Sequence, residues 1–278
     1  LLICVGSGGV GKTTTAAALA LLAGVRGRRV LVLTIDPAKR LLQALGLDHQ
    51  SLPANTPLEV LPKMADILGP EQDPEPMGSL HAMMLDAESG AERMVVRLLP
   101  DPALREEVLG NRIYKALLPV LSAAPDYVAL ELISELYAEQ RFDLIVLDTP
   151  PTHNAVDFLT AGRTLSNFIN ERVLRWFSLV PKAESRRKRR LGILRRGGSA
   201  AMAVLGRLFG TEVLPDIAAF FQSFREVLPA LRARSEATDA LMRSDVTRFV
   251  AVTAPGEASL REARHLHALL LEQGLPFA

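Results

Sequence analysis

The stretch that decides the fold runs from Gly6 to Thr14 and reads Gly-Ser-Gly-Gly-Val-Gly-Lys-Thr-Thr. The apolar run Leu1 to Val5 precedes it and has the composition of a short buried strand. The alanine- and leucine-rich run Thr14 to Ala23 follows it and predicts a helix. A strand, a glycine-rich turn, Lys-Thr and a helix, in this order, are the context of a phosphate-binding loop.

The residue types of this loop suit an anion. Glycines allow backbone with positive φ, so that successive N–H groups can face a phosphate, and the start of a helix adds further N–H donors. Lys12 can reach the β- and γ-phosphates of a nucleotide, and the Thr13 hydroxyl can hold Mg²⁺. A glycine-rich turn that only resembles the pattern is the alternative, and the flanking strand and helix disfavour it.

Composition restricts the class of protein. The 278 residues are 49% hydrophobic and 23% charged, which excludes a disordered chain, and the formal net charge of +1 excludes a polycation that binds nucleic acid over its whole surface. No apolar run is long enough to span a membrane, and the opening apolar run is too short for a signal peptide. The one cysteine, Cys4, excludes an internal disulfide and fits a reducing cytoplasm.

Strands and helices alternate along the chain. The predicted strands after the first are Val30–Ile35, Leu80–Leu85, Phe142–Leu147 and Arg248–Thr253, and another strand is expected after Gly274. The predicted helices are a short one near Arg40–Leu45, then Glu88–Leu99, a mostly helical Pro102–Glu139 interrupted at Pro119 and Pro125, and Glu257–Gln273. This order predicts an α/β fold with a doubly wound, mostly parallel sheet, of the P-loop nucleotide hydrolase type. Ligands of such sheets lie at the carboxyl ends of the strands.

The range 154–243 is helical in pattern almost throughout. We interpret the chain as a single domain, 1–278, in which 154–243 is an inserted helical subdomain. Its apolar residues, spaced by three and four, predict amphipathic helices that bury one face. An exposed apolar groove that holds a hydrophobic client helix is the alternative use of the same residues.

A basic loop, 181–198, lies within this subdomain. It carries eight lysines and arginines between Lys182 and Arg196 against the single acid Glu184. A solvated loop is the commonest structure for such a run, and attraction to an anionic membrane surface is a second interpretation. Nucleic-acid contact is a third, which the lack of interleaved aromatic residues disfavours.

Two aspartates follow predicted strands. Asp148 ends Leu-Ile-Val-Leu-Asp, the pattern of a carboxylate that supports Mg²⁺ beside Thr13, and its alternative is a cap for the following turn. Asp36 ends the second strand and is a candidate catalytic residue that orients the attacking water. Its alternative is the N-cap of the short helix after Pro37.

Three motifs together resemble one family. The loop Gly-x-Gly-Gly-x-Gly-Lys-Thr resembles the deviant Walker A loop of the partition, septum-placement and nitrogenase-iron-protein ATPases. Ile35-Asp36-Pro37-Ala38 and Asp148-Thr149-Pro150-Pro151-Thr152 resemble switch I and switch II of the arsenical-pump and tail-anchored-protein-targeting ATPases. The segment between Leu80 and Glu88 also resembles the bacterial members, usually labelled anion-transporting ATPases.

The resemblance implies ATP and Mg²⁺ as the bound cofactors. It implies phosphate binding by Lys12, a Mg²⁺ ligand in Thr13 with support from Asp148, and an α-phosphate contact by Thr14. The catalytic residues would be Asp36 and Lys12, and the nucleotide-binding residues Gly8, Gly9, Val10, Gly11, Lys12, Thr13 and Thr14. It also implies a homodimer that closes with ATP and opens after hydrolysis, with a hydrophobic client helix or a membrane protein as partner. We expect the protein in the cytoplasm or peripherally at a membrane.

Two departures from the family pattern bear on activity. The family's signature lysine, second in the loop, is Ser7 here, so that one cation for the transition state is missing unless Lys39 or Arg40 replaces it. The chain also lacks the Cys-x-x-Cys pair that holds an interfacial zinc in targeting members. A binding module that hydrolyses ATP slowly, and a partition-type ATPase that uses its basic run on DNA, are therefore alternatives to the client-carrying switch. Arsenite stimulation has the least support, because one thiol cannot supply a three-sulfur site.

Overall fold

A computed structural model describes residues 1–35, 40–46, 54–60, 78–99, 101–111, 125–149 and 214–278. The strands of this part, in chain order, are β1 (Leu2–Val5), β2 (Arg29–Thr34), β3 (Leu58–Glu59), β4 (Ser79–Met84), β5 (Leu144–Asp148) and β6 (Arg248–Ala251). The helices are α1 (Lys12–Val25), α2 (Arg40–Ala44), α3 (Ala87–Leu98), α4 (Pro102–Gly110), α5 (Pro125–Ala138), α6 (Leu214–Arg243) and α7 (Glu257–Glu272).

The strands form one sheet in the order β3-β4-β2-β5-β1-β6. Neighbouring strands pair in parallel, except at the edge, where β3 pairs antiparallel with β4. The predicted α/β fold with a mostly parallel sheet is therefore confirmed. β2 and β5 are the central pair of the sheet, and β1 pairs in parallel with β5, so the loop after β1 and the residue that ends β5 emerge at the same edge.

Hydrophobic cores cover both faces of the sheet. Along β1 and β2, successive side chains alternate between the two cores, because neighbouring residues of a strand point to opposite faces. Small residues of α1, among them Ala16 and Ala20, pack on the face that holds Cys4. Residues of α5, α7 and the end of α6 pack on the face that holds Ile3. Each large side chain that is fully buried contributes roughly 1.5–3 kcal/mol.

The observed boundaries differ from the predicted ones by a few residues. Helix α1 begins at Lys12 rather than Thr14, because Gly11 has a left-handed conformation and the helical backbone follows it directly. Pro125, one of the two predicted interruptions, is the first residue of α5, a position that suits proline because the N–H it lacks would have no helical acceptor. Pro119, the other, lies outside the described residues. The sequence patterns did not indicate β3, which has two residues.

The end of the chain lies beside β6. The Phe249 N–H donates to the Pro276 carbonyl at 2.9 Å, and the Ala278 N–H donates to the Phe249 carbonyl at 3.0 Å. This parallel bridge between Phe249 and Phe277 lies in the part of the chain after Gly274 where a further strand is expected.

The chain divides into two compact units. The first comprises Leu1–Gly90, Ala124–Gly162 and Ala237–Ala278, and it contains the whole sheet. The second comprises Ala91–Ala123 and Arg163–Glu236. Most of the predicted inserted subdomain 154–243, including the basic loop 181–198, lies outside the described residues, so this boundary stays a prediction.

Candidate functional site

The glycine-rich loop has the backbone that its sequence predicts. Gly6, Gly9 and Gly11 have φ of 149°, 74° and 94°, a region that residues with side chains rarely adopt. No atom lies within 4 Å of the place where a Cβ on Gly9 or Gly11 would be, so the outer surface of the loop is open. The first helical bond of α1 runs from the Thr15 N–H to the Gly11 carbonyl at 2.9 Å. The N–H groups before it have no acceptor within the helix, which suits an anion.

Lys12 is the first residue of α1, and its side chain lies back against the loop. Its Nζ donates to the Ser7 carbonyl at 2.6 Å, and the residue is only 6% exposed. A buried ammonium next to open glycine backbone is a positive charge directed at whatever anion the loop binds.

Asp148 lies where β5 ends, next to the start of α1. The Thr13 Oγ1 donates to its Oδ2 at 2.8 Å, and the Thr34 Oγ1 donates to the same oxygen at 3.1 Å. The parallel register explains this meeting, because Asp148 stands opposite Thr34 of β2 and opposite Cys4 of β1. The two hydroxyls fix the position of this carboxylate oxygen.

Cys4 lies under the loop, on the strand that leads into it. The Thr149 Oγ1 donates to the Cys4 carbonyl at 2.7 Å and so ties the end of β5 to β1. Burial, and to a lesser degree the neighbouring Asp148 carboxylate, raise the pKa of the Cys4 thiol to about 12. The thiol is therefore a neutral packing group and neither a nucleophile nor a metal ligand at neutral pH.

The loop is held from behind by the segment that joins β6 to α7. The Val252 N–H donates to the Val5 carbonyl at 2.8 Å, and a Cβ on Gly6 would lie 2.1 Å from the Val252 carbonyl oxygen. The Ser7 hydroxyl donates to the Glu262 carboxylate of α7. Glycine at position 6 is therefore required by close approach as well as by φ.

Asp86 follows β4 at the carboxyl ends of the strands, and its carboxylate has a structural role. Its Oδ2 accepts from the Ser89 N–H at 2.9 Å and from the Ser89 hydroxyl at 2.5 Å, which caps the start of α3. These bonds lower the pKa of Asp86. The Asn55 side chain donates to the Asp86 carbonyl at 2.9 Å and accepts from its N–H at 3.0 Å. Asp86 is thus engaged in holding a turn.

The structure brings some of the predicted residues together. Gly8 to Thr14 form one loop and helix start, and Asp148 lies in hydrogen-bond contact with Thr13. Asp36, the predicted catalytic residue, lies outside the described residues, as do Pro37, Ala38 and Lys39. The roles assigned to all these residues stay predictions.

Sequence reasoning missed three contributors, which are Thr34, Val252 and Glu262. The sequence could have indicated Thr34, because it is a polar residue near the end of β2, and the neighbouring strand β5 ends on Asp148. Val252 and Glu262 had none, because their contacts with the loop depend on how β6 and α7 pack against β1.

Comparison with known proteins identifies the family. The family described as "Anion-transporting ATPase" matches residues 1–277. The chain belongs to this family. It is 32% identical over 171 residues, 60% of the chain and 50% of the relative, to an Aquifex aeolicus protein whose name proposes an arsenical pump-driving ATPase.

Two further relatives extend the comparison. An uncharacterized protein of Streptomyces coelicolor is 31% identical over 258 residues, 92% of the chain and 55% of the relative. A Leishmania braziliensis protein named "ATPase ASNA1 homolog" is 29% identical over 198 residues, 65% of the chain and 48% of the relative. The chain spans about half the length of these relatives, 48% to 55%.

The described residues contain neither a helix that could span a membrane nor a cluster of metal ligands. No helix in the described ranges is long and apolar enough to cross a bilayer. Among the same residues, no group of three or more histidine, cysteine, aspartate or glutamate side chains is placed to hold a metal ion.

Proposed function

We propose that this chain binds ATP with Mg²⁺ at the loop Gly8–Thr14 and hydrolyses it. The observation that carries the proposal is the 2.8 Å contact between the Thr13 hydroxyl and the Asp148 carboxylate, next to the loop that carries Lys12. In phosphate-binding loops of this type, a hydroxyl and a strand-end carboxylate hold Mg²⁺ and its waters beside the phosphates. Membership in the anion-transporting ATPase family supports the same activity.

The residues present fit Mg²⁺. The donor set consists of hydroxyl and carboxylate oxygens, which are the ligands this ion prefers. Thr13 would hold the ion, and Asp148, itself oriented by Thr34, would hold an ion-bound water. When bound, Mg²⁺ neutralises part of the charge on the β- and γ-phosphates.

The other steps follow from the chain's own groups. The N–H groups of the open glycine loop and of the start of α1 would bind phosphate oxygens, because they lack acceptors within the helix. Lys12, already directed over the loop by its 2.6 Å contact with the Ser7 carbonyl, would reach the β- and γ-phosphates. Asp36 would accept a hydrogen bond from the attacking water and so orient it toward the γ-phosphorus.

The nucleotide cycle is proposed to act as a switch in a homodimer. ATP closes the dimer, hydrolysis opens it, and the state controls binding of a hydrophobic helix or a membrane-linked protein in the cytoplasm or at a membrane surface. The proposal is supported by the resemblance of the motifs to those of the targeting ATPases and by the relative named "ATPase ASNA1 homolog". The lysines and arginines of the basic loop 181–198 would attract this segment to an anionic surface.

A second function, nucleotide-dependent assembly with slow hydrolysis, is supported by the contact of Ser7. Where the family has a lysine, this chain has a serine whose hydroxyl contacts Glu262. The position therefore supplies no cation to the charge that develops in the transition state.

Calorimetry with Mg·ATP tests the binding site. We expect uptake by the unaltered chain and a loss of affinity of about tenfold or more in Thr13→Ala and Lys12→Ala, because each removes a charged or metal-linked contact. Thr56→Ala is the matched control. Thr56 is exposed, and among the described residues its hydroxyl donates to the Ala54 carbonyl. Equal affinity of the Thr13 and Thr56 variants would refute the proposed site.

Phosphate release separates the two functions. Steady release that Asp36→Asn abolishes supports the hydrolysing switch. Tight binding with little release, in the unaltered chain and the variant alike, supports the slow assembly.

For the client, an apolar helical peptide should be retained with a non-hydrolysable ATP analogue and released with ADP, and retention independent of nucleotide would contradict a switch.

A further inference from the structure

Ser7 connects the phosphate loop to a carboxylate that the loop sequence does not predict. Its carbonyl accepts from the Lys12 Nζ at 2.6 Å, and its hydroxyl donates to the Glu262 Oε2. A single loop residue is thus in contact with the loop's ammonium group and with a negative charge from α7.

The Glu262 charge has no cation beside it in the described part of the chain. Its recorded polar contact there is the Ser7 hydroxyl, and no lysine or arginine of the described ranges lies within ion-pair distance. Its neighbour Arg261 is directed to Glu257, at 3.8 Å. Because Ser7 is neutral, its contact with Glu262 leaves a negative charge, uncompensated among the described residues, beside the second residue of the loop.

We propose that Glu262 is a specificity-determining residue that lowers the affinity of the loop for a nucleoside triphosphate relative to a diphosphate. The inference rests on the proposed nucleotide site and adds to it a residue from α7. The carboxylate repels bound phosphates, and it repels ATP more than ADP because ATP carries the additional negative charge. The consequence is that a higher ratio of ATP to ADP is needed to replace bound ADP by ATP than in a loop without this charge.

The expected size is modest, because Glu262 is exposed. Charges separated by water interact weakly, and salt screens them over about 8–10 Å at physiological ionic strength. Removal of one such charge should change triphosphate affinity by about threefold to tenfold at low salt, and by less for the diphosphate.

Glu262→Gln isolates the charge from the hydrogen bond. Glutamine keeps the length of the side chain and an oxygen that can accept from the Ser7 hydroxyl. Calorimetry with Mg·ATP and Mg·ADP, at about 0.02 M and about 0.5 M salt, should show tighter ATP binding and a raised ratio of ATP to ADP affinity. High salt should reduce both changes. Glu262→Lys should raise the ratio further, since it reverses the charge.

Glu272→Gln is the matched control. Glu272 is an exposed glutamate near the end of the same helix, about 15 Å along the axis from Glu262, which exceeds the screening length of about 8 Å at about 0.15 M salt. At about 0.15 M salt its substitution should leave the ratio unchanged.

The outcomes distinguish this inference from the proposed function. If the unaltered chain takes up neither nucleotide, both fail. If it takes up ATP but Glu262→Gln and Glu262→Lys leave the affinity ratio unchanged or lower it, the inference alone is overturned. A raised ratio that persists undiminished at high salt would also overturn it, because the effect would not be one of charge.

Discussion

At the scale of single residues, burial decides which groups near the loop can react. Cys4 is the one thiol of the chain, and it is fully buried beneath the loop. Lys12 is buried too, but its ammonium keeps a carbonyl partner and faces open backbone. The same strand-loop-helix unit therefore contains a buried thiol that is inert and a buried ammonium that is hydrogen-bonded to the loop.

Cys4 should resist thiol reagents in the folded chain. With its pKa raised to about 12, only about one thiol in ten thousand is ionised at about pH 8. Labelling with an aromatic disulfide should be at least about a hundredfold slower in the folded chain than in urea, where one thiol per chain reacts. Rapid stoichiometric labelling of the folded chain would show that the thiol is accessible.

At the scale of elements, close approach between the loop and the β6–α7 segment limits substitution. Gly6→Ala would direct a Cβ into the Val252 carbonyl oxygen, 2.1 Å away, at a φ of 149°. We expect a loss of unfolding free energy of about 2–4 kcal/mol and a loss of Mg·ATP uptake, because the loop must shift. Urea denaturation measures the first effect, and calorimetry measures the second.

Gly256→Ala is the control for this substitution. Gly256 precedes α7 with φ −77°, and no atom lies within 4 Å of its would-be Cβ. Its unfolding free energy should change by no more than about 1 kcal/mol. Similar losses in the two variants would mean that the contact with Val252 is unimportant.

An ion pair links the starts of the two central strands β2 and β5. The Arg29 Nη2 lies 2.6 Å from the Asp143 Oδ1, and the Arg29 N–H donates to the Asp143 Oδ2 at 2.8 Å. The Arg29 hydrogen bonds lower the pKa of Asp143 to about 2. The lowered pKa means that this contribution to stability is complete above the ordinary carboxyl pKa of about 3.9 and is lost as the pH falls toward about 2.

Asp143→Asn should therefore flatten the decline of stability with acid. Urea midpoints measured from about pH 6 to about pH 2.5 should fall less in the variant than in the unaltered chain, and the two should differ most at the upper end of this range. Asp245→Asn is the control, because Asp245 is an exposed carboxylate with no recorded ion pair in the described residues. If the two variants behave alike, the Arg29 pair contributes nothing specific.

At the scale of the whole molecule, the testable expectation is assembly driven by nucleotide. With Mg²⁺ and a non-hydrolysable ATP analogue, sedimentation should show a shift from one chain to two, because the proposed switch closes around bound triphosphate. ADP should not produce the shift, and neither should Lys12→Ala with the analogue. A single species under all these conditions would contradict the homodimer.

The sequence predicted the fold to within a few residues at most strand and helix ends. Local patterns suffice for β1, α1 and β5, because a buried strand, a glycine loop and a helix each depend on residues that are adjacent in the sequence. The edge strand β3 has two residues and is too short to show an alternation of apolar and polar residues. At Pro125 the sequence predicted an interruption, and α5 begins there, because proline breaks a helix in its interior but suits its first turn.

The sequence by itself determined the backbone of the glycine-rich loop, since the required positive φ values appear directly as glycines at Gly6, Gly9 and Gly11. Only the tertiary structure decided what surrounds the loop. Asp148 meets Thr13 across 135 positions of sequence, and Glu262 meets Ser7 across 255, because parallel pairing brings strand ends to one edge and α7 packs behind them. Contacts of this kind depend on strand order and register, and no local pattern encodes which distant side chain will arrive.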